Sequence, residues 1–339
     1  MKLATFSGGK SVNKTIGALT IVNGFEYIID LSKAYTLYIE KFDKDPFAYD
    51  IAKIRIPKEM RDFLRGGELS MEAAKKGYSF VESLTTDPMK LESAIFDELI
   101  YKLDNIRLLP PIDRPEKIIS TGGNYQIHIE KDIESNKLFK SIPDHPIQFL
   151  KSPSSVIGNG DPIIKSRFTE ELDYEIELSM VIGKRCKDVK AENWLDYVVG
   201  FTVINDISMR DIILSEIETS SVFYGKSMDT CCPMGPYIVT KDEIADANNL
   251  DMQLRVNGEI RQNDNTKNMR FNCGEVLAFA SRITLEPGDI ITTGTPTGVA
   301  GFRKQKPQYL LKCGDVLEAS IENIGVLTNH IIADEISVT

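Results

Sequence analysis

Beyond residue 108 the chain is a succession of short apolar and β-branched runs: KIIST, SVIGNGDPII, YEIELSMVIGK, YVVGFTVIND, PYIVT, MQLRVNGEI, RITLEPGDIITTG and GDVLEASIENIGVLTNHII. Gly, Asn and Pro punctuate them, and runs of this length between turn residues specify strands rather than helices. The VNGE and EPGD tetrapeptides carry the chemistry of hairpins and tight turns. A compact β-roll or barrel-like core is the expected architecture for this segment.

Residues 1–107 read differently. Strand-like IGALTIV and FEYIIDL stand beside helical patterns over DPFAYDIAKIRIPKEMRDFLRGG and PMKLESAIFDELIYKLD. A proline-rich joint, LLPPIDRPEK from Leu108 to Lys117, follows. Each proline there removes a backbone donor and restricts the residue before it, so no helix crosses the joint. With 339 residues the chain has length for two domains. The expected organisation is a smaller N-terminal α+β domain over 1–107 and a β-rich domain over 108–339, an α+β fold overall.

The charge balance, 40 basic against 50 acidic side chains, includes no Lys and Arg cluster interleaved with aromatics, which argues against nucleic acid as a partner. The N-terminal MKLATFSGG has no apolar h-region, and the apolar run from Val198 to Ile204 is far too short for a membrane span. Five cysteines form an odd set without CxxC, and the neighbours Cys231 and Cys232 are badly placed for a mutual bond. Reduced thiols, a cytoplasmic location and no membrane partner are expected.

In LDYEIELSMVIGK, strand alternation puts Asp173, Glu175 and Glu177 on one face and Leu172, Tyr174, Ile176 and Leu178 on the other. Two unit charges roughly 6.5 Å apart at an effective dielectric of about 20 repel by about 2.5 kcal/mol. Such a face is either solvated on an edge strand or compensated by a cation. Asp206 favours the second reading, because it ends the apolar run VVGFTVIND and so exits beside core. Glu175, Glu177 and Asp206 form an all-oxygen, anionic donor set suited to Mg²⁺ or Mn²⁺. The three histidines, His128, His145 and His330, show no zinc spacing, and no GxxxxGK[ST], GxGxxG after a strand or GxSxG occurs.

Taken in order, the runs LLPPIDRPEKIISTGGNY, FLKSPSSVIGNGDPI, LDYEIELSMVIGK, GFTVINDISMRD, YGKSMDTCCPMGPYIV and GDIITTGTPTGV resemble the fumarylacetoacetate hydrolase superfamily over about Leu108 to Ile332. The resemblance implies a divalent metal at Glu175, Glu177 and Asp206, the residues the charge argument selects. It also implies a substrate-side lysine at Lys226 and substrate contacts from Tyr125, Arg210, Gly294 and Thr295. By residue type alone, Lys226 would read as surface and GTPTG as a turn. A homodimer and a small 2-oxo or 1,3-diketo acid substrate are further expectations of the resemblance.

Relatives with a mobile lid carry NYxxHxxE, and here the run is NYQIHIEKD, Asn124 to Asp132. His128 is in place as the proton-transferring group. Lys131 stands where the glutamate is expected, so Asp132, on the same side of a helix at i+4, or Glu130, if the lid is irregular, would have to partner His128. The expected activity is metal-dependent hydrolysis of a C–C bond in an acylpyruvate-like acid, and the alternative is a lyase or isomerase acting on a 2-oxo acid: a decarboxylase, hydratase or tautomerase. A non-catalytic metal-binding homologue is the third reading.

Overall fold

Asn23 and Gly24 hold positive φ, 53° and 81°, the backbone a two-residue type I′ hairpin demands, and they join Ser11–Val22 to Phe25–Asp30 in antiparallel register. This is one edge of the protein, known from a computed structural model that describes residues 1–8, 11–135, 142–303 and 306–334, the side chains of 11–13, 96, 132 and 135 excepted. The neighbouring strand Lys2–Gly8 pairs with Ser11–Val22, with Ile106–Leu109 and with Cys232–Thr240. The N-terminal strands therefore continue the sheet of the C-terminal region, and the joint near residue 108 lies within that sheet.

From Cys232–Thr240 the sheet runs through Val198–Asn205, Ile176–Ile182, Ile290–Thr292, Ile118–Gly122 and Ile147–Lys151. Among the described residues twelve strands join it. A second sheet orders Glu259–Asn265, Asp251–Val256, Val316–Ile321, Gly325–Ala333 and Pro162–Lys165. Neither strand path closes on itself among the described residues, so the strand-rich α+β fold is built of open sheets and not of a closed barrel. The turn at Asn257 and Gly258, φ 51° and 79°, repeats the positive-φ hairpin chemistry that VNGE announces.

Two local expectations change. PMKLESAIFDELIYKLD is helical only over Pro88–Phe96, after which Glu98 takes φ 55° and Ile100–Lys102 pairs with Phe25–Asp30. Leu99 and Ile100 are sealed in the core, Ile100 as the first residue of the strand, a tertiary gain that overrides the helical periodicity. The acidic run is likewise not one two-faced strand. It splits into Leu172–Asp173 and Ile176–Ile182, and every residue of both is buried. Ile176–Ile182 lies between Val198–Asn205 and Ile290–Thr292 in mid-sheet, which removes the solvent face that alternation would otherwise leave.

No helix among the described residues is long and apolar enough to cross a membrane. All five cysteines are unpaired.

Candidate active site

At the break between Leu172–Asp173 and Ile176–Ile182, the Glu175 backbone N–H donates to Asn205 Oδ1 at 2.9 Å and its carbonyl accepts from Asp206 N at 2.8 Å. These two bonds tie the acidic run to the end of Val198–Asn205 and fix the relative positions of their side chains. Glu175, Glu177 and Asp206 are all buried, each offering an oxygen within 4.8 Å of the others.

Three cations surround them. Lys226 Nζ donates to Glu175 Oε2, Asp206 Oδ2 and Ser208 Oγ, each at 2.7 Å. Lys151 Nζ donates to Asp206 Oδ1 at 2.6 Å and to the carbonyl of Lys226. The Arg210 guanidinium donates to Asp173 Oδ2 at 2.7 Å and to Glu175 Oε1. Asp173 is further held by the N–H groups of Ala300 and Gly301, at 2.8 and 2.9 Å. That anchors the loop after residue 298 to the acidic run.

The charges do not balance within the cluster: Asp173, Glu175, Glu177 and Asp206 face Lys151, Lys226 and Arg210. The deficit falls on Glu177. Burial raises its pKa well above the usual carboxylate value, and Asp206 and Glu175 push it further. The Gly294 backbone N–H donates to its Oε2 at 3.2 Å. Burial also pushes Glu175 upward, but Lys226 and Arg210 outweigh it and bring that carboxyl down to about 2. For Lys151, burial works against the charged form and Asp206 prevails, raising its pKa.

A divalent cation fits this donor set. The three carboxylates each offer an oxygen within 4.8 Å of the others, so all three would reach one small, hard cation. Glu175 and Asp206 already converge on one cationic centre, the Lys226 ammonium, while Glu177 lacks the compensating charge that an ion would bring. The three carboxylates can therefore hold a metal.

The helix Gln126–Ser135 meets the Gly294–Gly298 loop, with His128 at the Pro296 carbonyl and Lys131 at Thr297. His128 is 5% exposed, its Nδ1 lies 3.3 Å from the Pro296 carbonyl, and its ring meets Phe302 edge-on at 4.8 Å. A carbonyl only accepts, so Nδ1 carries the hydrogen and Nε2 the lone pair. Burial lowers the His128 pKa to about 4, with Glu175 opposing and Arg210 assisting. Gly294 holds φ +87°, where a Cβ would stand 2.9 Å from Asn124 Cβ, so a side chain there would collide as well as strain the backbone. Thr295 Oγ1 and the Pro296 carbonyl accept from Gln262 Nε2 at 2.8 and 2.9 Å.

The expected residues divide accordingly. Glu175, Glu177, Asp206, Lys226 and Arg210 share one connected network, with His128, Gly294 and Thr295 on its border. Tyr125 lies apart, fully buried with its hydroxyl 3.0 Å from Met252 Sδ. Glu130 is exposed and accepts from Gln126 Nε2 at 2.7 Å, four residues before it on the helix. The side chain of Asp132 lies outside the described residues. Lys131 donates to Thr297 Oγ1 at 2.9 Å. Reading the residues one by one misses Lys151, Asn205, Ser208 and Gln262, and of these only Lys151, a cation in the apolar strand Ile147–Lys151, leaves a trace in the sequence.

Residues 117–332 match the fumarylacetoacetate (FAA) hydrolase C-terminal family. The chain is 38% identical to the mitochondrial oxaloacetate tautomerase of Xenopus laevis over 334 residues, which span 98% of this chain and 90% of that one. The Rattus norvegicus oxaloacetate tautomerase is 39% identical over 278 residues, 82% of this chain and 80% of the relative. Among solved structures, the fumarylacetoacetate hydrolase of Exiguobacterium antarcticum superposes with a TM-score of 0.70 at 32% identity, covering 98% of this chain and 100% of its own. Maleylpyruvate hydrolase from Sphingobium gives 0.67 at 26% identity, with 98% and 100% covered. The buried carboxylate cluster, the sheet that carries it and these likenesses together make the chain a member of the fumarylacetoacetate hydrolase family.

Proposed function

We infer that the protein is a divalent-metal-dependent tautomerase of a small 2-oxo acid, with Mg²⁺ or Mn²⁺ held by Glu175, Glu177 and Asp206. The observation that carries this reading over hydrolysis is Lys131. Water activation by His128 calls for a carboxylate partner, and the side chain at that position is a cation fastened to Thr297 at 2.9 Å. Moving one proton between carbon and oxygen asks less of the lid. The relatives named oxaloacetate tautomerase, similar over most of the chain, support the same choice.

When bound, the ion withdraws electron density from the 2-oxo group and so makes the hydrogens on C3 more acidic. His128, neutral at pH 7 because burial lowers its pKa to about 4, takes a C3 proton at Nε2. The electron pair left on carbon becomes the C2–C3 double bond, and a proton returned to the C2 oxygen completes the enol. Thr295 accepts from Gln262, which turns its own O–H outward to donate to the substrate carboxylate. Lys226 and Arg210 supply the positive potential that favours the anion as charge moves onto oxygen. The helix Gln126–Ser135, with Phe302 against His128, excludes bulk water from the base.

The test is a comparison with Mg²⁺ present: keto–enol interconversion of oxaloacetate, followed by enol absorbance, against cleavage of acylpyruvates. Faster interconversion without release of pyruvate from acylpyruvates is expected. A higher kcat/KM for acylpyruvate cleavage than for tautomerisation would overturn the reading.

A further inference from the structure

Phe302, whose ring meets His128 edge-on at 4.8 Å and the Arg210 guanidinium at 5.8 Å, also forms part of the wall of a separate cleft of about 720 Å³. Glu175, Glu177 and Asp206 do not line it, and Phe302 stands between it and them. Its charged lining is Lys131, Arg261 and Arg303, with no carboxylate beside them, and Ile260 and Val299 add an apolar wall. Strand alternation in Glu259–Asn265 turns Gln262 inward to Thr295 and Pro296, and its neighbours Arg261 and Asn263 to the cleft.

One side of the cleft is preformed. Gly298 holds φ +117° so near the strand that a Cβ would stand 2.3 Å from the Arg261 carbonyl oxygen. Arg303 fastens the same contact, donating from Nε to the Gly298 carbonyl at 3.1 Å and from Nη2 to the Arg261 carbonyl at 2.8 Å. That leaves its Nη1 unused by the described residues.

The cleft holds more positive charge than its own contacts satisfy. Arg261 and Arg303 both pack on the ring of Tyr309, at 4.8 and 4.1 Å from its centroid, which brings two like charges together. The Arg261 side chain is 12% exposed, and its Nε and Nη1 have no hydrogen-bond partner among the described residues. Its Nη2 meets Glu259 at 3.2 Å, a side chain 64% exposed, so water screens that pair. Lys131 contributes a third charge and spends one of its three donors on Thr297. An anion in the cleft would supply the countercharge that these side chains lack.

We propose that this cleft is a binding site, distinct from the acidic cluster, for a small organic phosphate. The phosphate lies among Lys131, Arg261 and Arg303, and the carbon body runs along Ile260 and Val299. Three cations with so little countercharge favour a dianion over a monoanion, and a phosphate monoester is a dianion above its second pKa of about 6. The volume is that of a site for a small molecule rather than for a bare ion. Nothing in the proposal depends on the reaction at Glu175, Glu177 and Asp206 or on the metal there.

Phenyl phosphate, phenyl sulfate and inorganic phosphate test it by calorimetric titration at pH 8 and fixed ionic strength, with EDTA present so that no metal bridges protein and ligand. Phenyl phosphate should bind at least about tenfold tighter than phenyl sulfate, the monoanion of the same shape, and several-fold tighter than inorganic phosphate. Arg303→Met and Lys131→Met should each weaken phenyl phosphate at least about fivefold. Arg185→Met removes a side chain 73% exposed and outside the cleft, and should leave binding within about twofold. Lys131 is exposed, so its variant folds and decides the matter even if Arg303→Met does not. Phenyl phosphate no tighter than phenyl sulfate, or Lys131→Met no more harmful than Arg185→Met, overturns the site. Inorganic phosphate binding as tightly as phenyl phosphate overturns the organic ligand.

Discussion

The Lys151 ammonium lies 2.6 Å from Oδ1 of Asp206, and both side chains are sealed from solvent. Through this bond the strand Ile147–Lys151, at one end of the sheet path, reaches the end of Val198–Asn205. It also occupies one oxygen of Asp206 and leaves the other for Lys226.

Lys151→Met is therefore expected to act in two directions. Removing one partner of a buried pair leaves its charge uncompensated, a loss of about 3–5 kcal/mol, read as a lower midpoint in denaturant without metal. The same change makes the cluster more negative, so the stabilisation gained on adding Mg²⁺ should increase. A variant whose apo stability is unchanged would show that the pair carries no net structural weight.

Glu177→Gln separates metal binding from folding. Burial, Asp206 and Glu175 all disfavour a charge on Glu177, so the neutral amide should leave the apo protein as stable as the native or more so. The response to metal should vanish: a ligand at a hundred times its Kd stabilises by about 2.7 kcal/mol in the native protein, and Mg²⁺ titration of the variant should give almost none. A full metal-induced shift in Tm would remove Glu177 from the donor set.

Stability should also report the burial of His128. The unfolded side chain takes up a proton near its ordinary pKa of 6.5, the folded one only near 4. Between those values the unfolded state holds more protons, so stability falls as pH drops from about 6.5 and has lost about 3 kcal/mol below 4. Denaturant midpoints from pH 7 to 4 should show this slope in the native protein and a shallower one in His128→Gln. The same substitution should abolish tautomerisation while native kcat/KM stays level down to about pH 5.

The carboxylates of this cluster are visible in the sequence because their spacing and the apolar run before Asp206 survive any folding detail. Their surroundings are not. The lysine in FLKSPSS stands out in an apolar run, but its partner Asp206 lies 55 positions away and no local pattern names it. The helical reading of residues 97–104 fails because Leu99 and Ile100 are worth more to a sheet edge whose partner is Phe25–Asp30. The pairing of Lys2–Gly8 with Cys232–Thr240 joins residues over two hundred positions apart, and no local pattern encodes a contact of that kind. Tyr125, beside His128 in sequence, is turned into the core by Met252, which adjacency alone does not reveal.

Lys131→Glu tests what the lid contributes. The substitution breaks the 2.9 Å bond to Thr297 and sets a carboxylate three residues from His128, on the same side of the helix. A nearby negative charge favours the imidazolium, so the His128 pKa should rise from about 4, and the base should become stronger. If the absent carboxylate is what withholds hydrolysis, acylpyruvate cleavage should rise at least about tenfold over the native background, general base catalysis being worth about 10²–10⁴ at full effect. Stopped-flow assays of acylpyruvate cleavage and of oxaloacetate tautomerisation read the outcome. Cleavage that stays at background while tautomerisation persists would mean that the lid's reaction choice lies in residues other than Lys131.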